Sequence, residues 1–125
     1  LLRSRGLGHV YKRQGDWAHG LRDRYGEMKY TSGDFYKGQF ENDQLSGNGD
    51  YYWLDGDHYS GLWTKNKMHG YGIFKYANGD KYKGNFKEDD YHGLGELYYE
   101  EGHRYIGNWS NGLRHGEGKM VNSDK

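Results

Sequence analysis

A pentad Tyr-x-Gly-x-aromatic returns every 23 residues along this chain. It stands at Tyr36-Lys37-Gly38-Gln39-Phe40, Tyr59-Ser60-Gly61-Leu62-Trp63, Tyr82-Lys83-Gly84-Asn85-Phe86 and Tyr105-Ile106-Gly107-Asn108-Trp109, with a weaker copy at Arg13-Gln14-Gly15-Asp16-Trp17. Two further markers keep the same phase. Glycine pairs fall at Gly47/Gly49, Gly70/Gly72, Gly93/Gly95 and Gly116/Gly118, the last three preceded by His69, His92 and His115. Turn signals read Ser32-Gly33-Asp34, Asp55-Gly56-Asp57, Asn78-Gly79-Asp80 and Glu101-Gly102-His103. A fixed period of about 20–50 residues is the signature of a solenoid or array. Function in such a chain belongs to a repeated surface more than to a single pocket.

Composition fixes what the units are made of. Only 33% of the 125 residues are hydrophobic, while 22 are Gly, 14 Tyr, 4 Trp and 4 Phe. Aliphatic side chains are too few for a two-layer sandwich, so rings must do most of the burying, at about 150–250 Å² each. With no Pro, nothing interrupts a continuous strand ladder. With no Cys, disulfides and thiolate metal sites are excluded, which fits a reducing compartment. No run of about 18 apolar residues reads as a spanning helix, and no apolar segment suits a secretory signal. The expected placement is cytoplasmic, with cytoskeletal or membrane association left open.

The first residues read differently from the rest. Ser4 to Gln14 resembles the translation of a transposase-type sequencing adapter, with His9 where Asp is usual. Residues 1–14 are therefore expected to be non-native, in an open reading frame taken from a fragment, with the array running over 15–125. Residues 1–14 carry Arg3, Arg5, Lys12 and Arg13 and no acid. The formally neutral chain thus leaves 14 basic against 18 acidic residues in 15–125, a net charge of −4. That balance disfavours an anionic phospholipid partner, and no basic stripe points to nucleic acid.

Each unit reads as two strands. Residues 34–41 and 48–54 alternate with period 2, and aromatic residues are enriched in both. Glu41 to Ser46 is a polar connection of hairpin size, and Leu54-Asp55-Gly56-Asp57 carries an Asp-Gly turn. The predicted fold is all-β: an elongated, single-layer antiparallel meander of repeated hairpins, growing by two strands and about 10 Å per unit. A register follows if each ring is set beside a glycine. Phe40 then faces Gly49, Gly38 faces Tyr51 and Tyr36 faces Trp53; across the next turn Tyr51 faces Gly61 and Gly49 faces Trp63. Glycines at 38, 49, 61, 72, 84, 95, 107 and 118 (Gly38, Gly49, Gly61, Gly72, Gly84, Gly95, Gly107, Gly118) are read as structural, giving rings room to lie over bare backbone.

These residues together resemble the MORN (membrane occupation and recognition nexus) repeat. The resemblance covers residues 15–125, with units starting near 13, 36, 59, 82 and 105. The first is degenerate, with Arg13 for tyrosine and Asp23-Arg24 for His-Gly; the second has Ser46 for histidine; the last is incomplete. It implies serial β-hairpins that serve for protein binding, self-association and, as often proposed, phospholipid contact. Such arrays occur in ciliary and cytoskeletal proteins. They also precede the catalytic domains of phosphatidylinositol-phosphate kinases and of a histone lysine methyltransferase.

The expected role is a non-catalytic scaffold that binds a protein partner along an exposed aromatic face. The face is assigned to Tyr36, Phe40, Trp53, Tyr59, Trp63, Tyr82, Phe86, Tyr105 and Trp109. A single layer offers its rings little cover, and exposed apolar patches mark interaction sites. The alternatives are a targeting array of a larger enzyme and a phosphoinositide-binding module. His69, His92 and His115 stand about two strands apart, too far to share one zinc ion, and are read as bonding turn backbones. The acidic groups Glu88-Asp89-Asp90 and Asp55/Asp57 are read as solvated turn charge. Gly70-x-Gly72 has no following helix to make a phosphate loop. No cofactor, metal ligand set or catalytic residue is assigned.

Overall fold

The structure is a computed structural model that describes residues 10–18 and 21–122, with side chains from residue 24 onward. Of the segment read as non-native, residues 1–9 lie outside the described residues, whereas 10–14 belong to the first strand. Ten strands follow in chain order: β1 (Val10–Ala18), β2 (Leu21–Tyr30), β3 (Phe35–Glu41), β4 (Gln44–Tyr52), β5 (His58–Thr64), β6 (Lys67–Lys75), β7 (Lys81–Lys87), β8 (Asp90–Tyr98), β9 (Arg104–Ser110) and β10 (Leu113–Val121). They form one sheet in which each strand pairs antiparallel with its sequence neighbours. The described residues contain no helix, and the all-β meander read from the repeat is what forms.

Two kinds of turn alternate. Within a unit the turn is two residues long, at Asn42-Asp43, Lys65-Asn66, Glu88-Asp89 and Asn111-Gly112, and all eight residues have positive φ. That is the conformation of a type I′ hairpin, whose twist matches the flanking strands. Between units the chain turns through three residues. At Leu54-Asp55-Gly56 the Gly56 amide donates to the Trp53 carbonyl (3.0 Å) and the Trp53 amide to Asp57 (3.0 Å).

The register differs from expectation by two residues. Gly38 faces Gly49 and Tyr36 faces Tyr51; across the next turn Gly49 faces Gly61 and Tyr51 faces Tyr59. Glycine meets glycine and ring meets ring. The pairing Gly15, Gly26, Gly38, Gly49, Gly61, Gly72, Gly84, Gly95, Gly107, Gly118 crosses every strand of the sheet. The slip comes from where the turns fall, at Asn42-Asp43 within the unit and at Leu54-Asp55-Gly56 between units, and a bulge lies inside the hairpin. Phe40 pairs with Leu45, so Gln39 alone is opposite Ser46, Gly47 and Asn48. The first glycine of each pair occupies this bulge with φ between +69° and +103°, a region that costs other L-residues about 1–2 kcal/mol.

The glycine column explains the core. Tyr36 and Phe40 are four residues apart on one strand, a rise of about 13 Å. Their ring centroids are nevertheless 5.1 Å apart, edge to face. Tyr36 lies down along its strand and crosses the backbone at Gly38 and Gly49, where an added Cβ would overlap its ring and hydroxyl. The rings thus do lie over bare glycine backbone, diagonally and not directly across. The hydroxyl ends at the interrupted ladder and donates to the Gln39 carbonyl at 2.8 Å. Tyr59 and Tyr82 repeat the contact on Leu62 (2.8 Å) and Asn85 (2.9 Å).

Candidate functional site

The nine rings expected to form an exposed face are buried, each 0–7% exposed. They cover one another. Tyr59 meets Trp63 of its own unit at 5.2 Å and Phe86 of the next at 5.0 Å, both edge to face. Tyr36 meets Trp63 at 5.6 Å and Tyr82 meets Trp109 at 5.8 Å in the same way. Trp63 Nε1 donates back to the Gly49 carbonyl at 3.2 Å. A ring that stood upright would be open to solvent; one lying flat over glycine is covered by its neighbours. These nine side chains are core. Burial also raises the hydroxyl pKa of Tyr36, Tyr59, Tyr82 and Tyr91 above its ordinary value and that of Tyr76 to about 12.

The acidic turn residues are not merely solvated. Asp34, Asp57 and Asp80 use Oδ1 to accept the amides of Leu54, Ala77 and Glu100 in the following turn, at 2.8–2.9 Å. On the other edge, Asn66 Oδ1 accepts the Leu45 amide and Asp89 Oδ1 the Met68 amide, both at 2.8 Å. The units at 36–58, 59–81 and 82–104 are thereby stitched each to the next at both ends of their strands. The three histidines do not behave alike. His69 Nδ1 accepts the Glu88 amide at 3.3 Å, His92 Nδ1 is buried with no hydrogen-bond partner among the described residues, and His115 is exposed. Among the described residues no group of three or more His, Asp or Glu is placed to hold a metal ion.

Five consecutive matches to the MORN repeat, at residues 14–35, 36–58, 59–81, 82–104 and 105–125, cover these hairpins. The chain belongs to the MORN repeat family. The MORN repeat is a non-catalytic repeat module, often used for membrane or protein interaction. No curated protein matches the chain.

The buried rings occupy one face of this MORN array. Its outer face consists of register-matched rows. In one row Tyr25 faces Gln39, Asn48 faces Leu62, Tyr71 faces Asn85 and Leu94 faces Asn108. No Lys, Arg, Asp or Glu stands among these eight, and Tyr25, Leu62, Tyr71 and Leu94 are 48%, 36%, 52% and 62% exposed. A second row pairs Lys29 with Phe35, Tyr52 with His58, Lys75 with Lys81 and Tyr98 with Arg104. There Lys81, Lys83 and Arg104 gather over the Tyr98 ring at 5.0, 5.9 and 5.6 Å, and Tyr98 donates to Glu96 Oε1.

The apolar row was overlooked in the sequence, although a signal existed. Its members occupy the variable x positions of Gly-x-Gly and Tyr-x-Gly-x-aromatic, which carry no motif identity. A third feature, a cavity of about 640 Å³ on the ring side, is lined by Tyr76, Asp80, Leu97, Tyr99, Trp109 and Arg114 among others.

Proposed function

We propose that this MORN array is a protein-interaction module whose partner binds along the uncharged row of the outer face. The observation that carries the reading is the row itself: Tyr25, Leu62, Tyr71 and Leu94, exposed in register and interleaved with the neutral amides of Gln39, Asn48, Asn85 and Asn108. Interface cores are depleted in charge and enriched in aromatic side chains, and this row has both properties. Scaffolding in a cytoskeletal or ciliary assembly, or the targeting of a larger enzyme, would use the same surface. Substituting Tyr71→Ala together with Leu94→Ala removes two large exposed side chains and no core contact. The double variant should keep its thermal midpoint and lose the proteins that co-purify with the parent chain. An unchanged set of co-purifying proteins sinks this reading.

A membrane reading has one observation in its favour, the gathering of Lys81, Lys83 and Arg104 around Tyr98, with Lys75 paired to Lys81 and Glu96 as the near acid. Near a membrane surface each such cation contributes about 1 kcal/mol. Salt-sensitive sedimentation with phosphatidylserine or phosphoinositide vesicles, lost in Lys81→Glu/Lys83→Glu, would support it. No sedimentation at low salt would remove it.

A further inference from the structure

On the ring side a second ladder runs beside the pentad tyrosines. Tyr30, Tyr51, Trp53, Phe74 and Tyr76 follow one another at centroid distances of 5.7, 4.6, 5.1 and 4.6 Å, with planes tilted by 31–46°. Its logic is periodic. Tyr30, Trp53, Tyr76 and Tyr99 open the inter-unit turns, one per unit, and a ring from the strand before each later turn sits in the gap between two of them. Tyr51 fills the gap between Tyr30 and Trp53, and Phe74 the gap between Trp53 and Tyr76. In the next gap, between Tyr76 and Tyr99, the same repeat position is Leu97. The cavity of about 640 Å³ opens there, within the roughly 300–1,000 Å³ range of ligand sites.

The polar group at this gap also lacks its counterpart. In the first gap Asp34 accepts the Leu54 amide through Oδ1 and the Tyr51 hydroxyl through Oδ2, both at 2.9 Å. Asp80 is the same residue two units on. Its Oδ1 accepts the Glu100 amide at 2.9 Å, and among the described residues its Oδ2 has no hydrogen-bond partner. Two further departures from the repeat border the cavity: Gly112 stands where Asn66 and Asp89 stand, and Arg114 where Leu45, Met68 and Tyr91 stand. Arg114 donates to the Tyr99 hydroxyl at 2.7 Å and lies 4.2 Å from the Tyr105 ring centre.

We propose that the slot between Tyr76 and Tyr99 receives a tyrosine side chain of a protein partner, its ring over Leu97 and its hydroxyl donating to Asp80 Oδ2. The array itself supplies the precedent, in Tyr51 held between Tyr30 and Trp53 with its hydroxyl on Asp34. The cavity is larger than one phenol, which leaves room for adjoining residues of a peptide. Leu113, 68% exposed, gives those residues an apolar contact, and the Arg114 guanidinium a donor for their carbonyls. The proposal rests on the protein-binding reading but uses the opposite face of the sheet.

The test titrates blocked Gly-Gly-Tyr-Gly-Gly, and its Phe and Leu counterparts, into the isotope-labelled chain while the Leu97 and Leu113 methyl signals are followed. The tyrosine peptide should shift both saturably. The phenylalanine peptide should bind at least about tenfold more weakly, the worth of one hydrogen bond to a charged group, and the leucine peptide should produce no saturable shift. Asp80→Asn should reduce the tyrosine peptide to the phenylalanine level. Leu97→Phe rebuilds the ladder and should abolish binding without lowering the thermal midpoint; were it to misfold, the Asp80→Asn arm still decides. Equal responses to the three peptides overturn the proposal, as does unchanged affinity in Leu97→Phe or Asp80→Asn. So does p-cresol binding as tightly as the peptide, which would make this a small-molecule site. Self-association abolished by Leu97→Phe assigns the slot to a second copy and also overturns it. Loss of partner capture in Tyr71→Ala/Leu94→Ala alone, with Leu97→Phe silent, would reject the slot and leave the outer-face reading standing.

Discussion

At the scale of the residue, one contact recurs: a tyrosine lying over two glycines, its hydroxyl on a carbonyl exposed by a bulge. An added methyl at Gly72 would enter the Tyr59 ring, whereas at Gly116 it meets nothing within 4 Å and only the φ of +69° resists it. Gly72→Ala should therefore cost at least the upper end of the 1–3 kcal/mol range of overpacking. Gly116→Ala should cost about 1 kcal/mol. Denaturant midpoints of the two variants check the order. The same tyrosines, with the partly buried Tyr76, set a response to alkali. They ionise near pH 10.0 when unfolded, but burial raises their folded-state values, that of Tyr76 to about 12. The native state then holds more protons than the unfolded state above pH 10, so stability is fully present below that pH and falls as pH rises toward 12 and beyond. Tyrosinate absorbance should appear cooperatively, together with loss of the β-sheet circular dichroism signal. Gradual ionisation of all tyrosines near pH 10 with the fold intact would contradict this.

At the scale of the element, the hairpin was legible and its register was not. The period, the alternation and the Asp-Gly turns located the strands, because rings and glycines at fixed steps leave few alternatives. The slip arose from setting each ring directly opposite a glycine, whereas the turns place glycine opposite glycine. The Asn42-Asp43 turn is shorter than the polar run suggests, and the bulge at Gly47 takes up the remaining residues. A glycine pair spaced by one residue was the available sign, since only the first of the two adopts positive φ. The turn also carries a cross-unit bond, from the Leu45 amide to Asn66 Oδ1. Asn66→Ala leaves a buried amide unpaired and should cost about 1–3 kcal/mol. Asn66→Asp should cost much less, because Asp89 performs the same task one unit on. Thermal melts of the pair distinguish a bonding role from mere tolerance of the turn conformation.

At the scale of the whole molecule, each described strand pairs with its sequence neighbours, and among the described residues ring contacts reach no further than the adjoining unit. Stability should then be a sum of units and nearest-neighbour interfaces. Tyr36→Leu/Trp63→Ala should couple by about 0.5–1.5 kcal/mol in a double-mutant cycle, since the rings are 5.6 Å apart. Tyr36→Leu/Trp109→Ala should be additive within about 0.5 kcal/mol. Coupling of the distant pair would argue against a one-dimensional array. The candidate surface was less legible than the fold for a related reason. Exposure was inferred from the number of layers, but here it depends on side chains lying flat, which only glycines paired across every strand allow. The exposed row of Tyr25, Leu62, Tyr71 and Leu94 sits at positions the repeat leaves free to vary, and Leu97 is visible as an exception only once Phe74 and Tyr51 are seen to occupy its place.

The buried ring column also has an optical consequence. Rings about 5 Å apart from Tyr30 to Trp109 are close enough for excitation absorbed by a tyrosine to pass to a tryptophan before it is emitted. Although tyrosines outnumber tryptophans 14 to 4, light from the folded array should be almost wholly indole emission. Tyrosine emission should emerge as units separate, so the array carries its own gauge of how many of its hairpins remain docked.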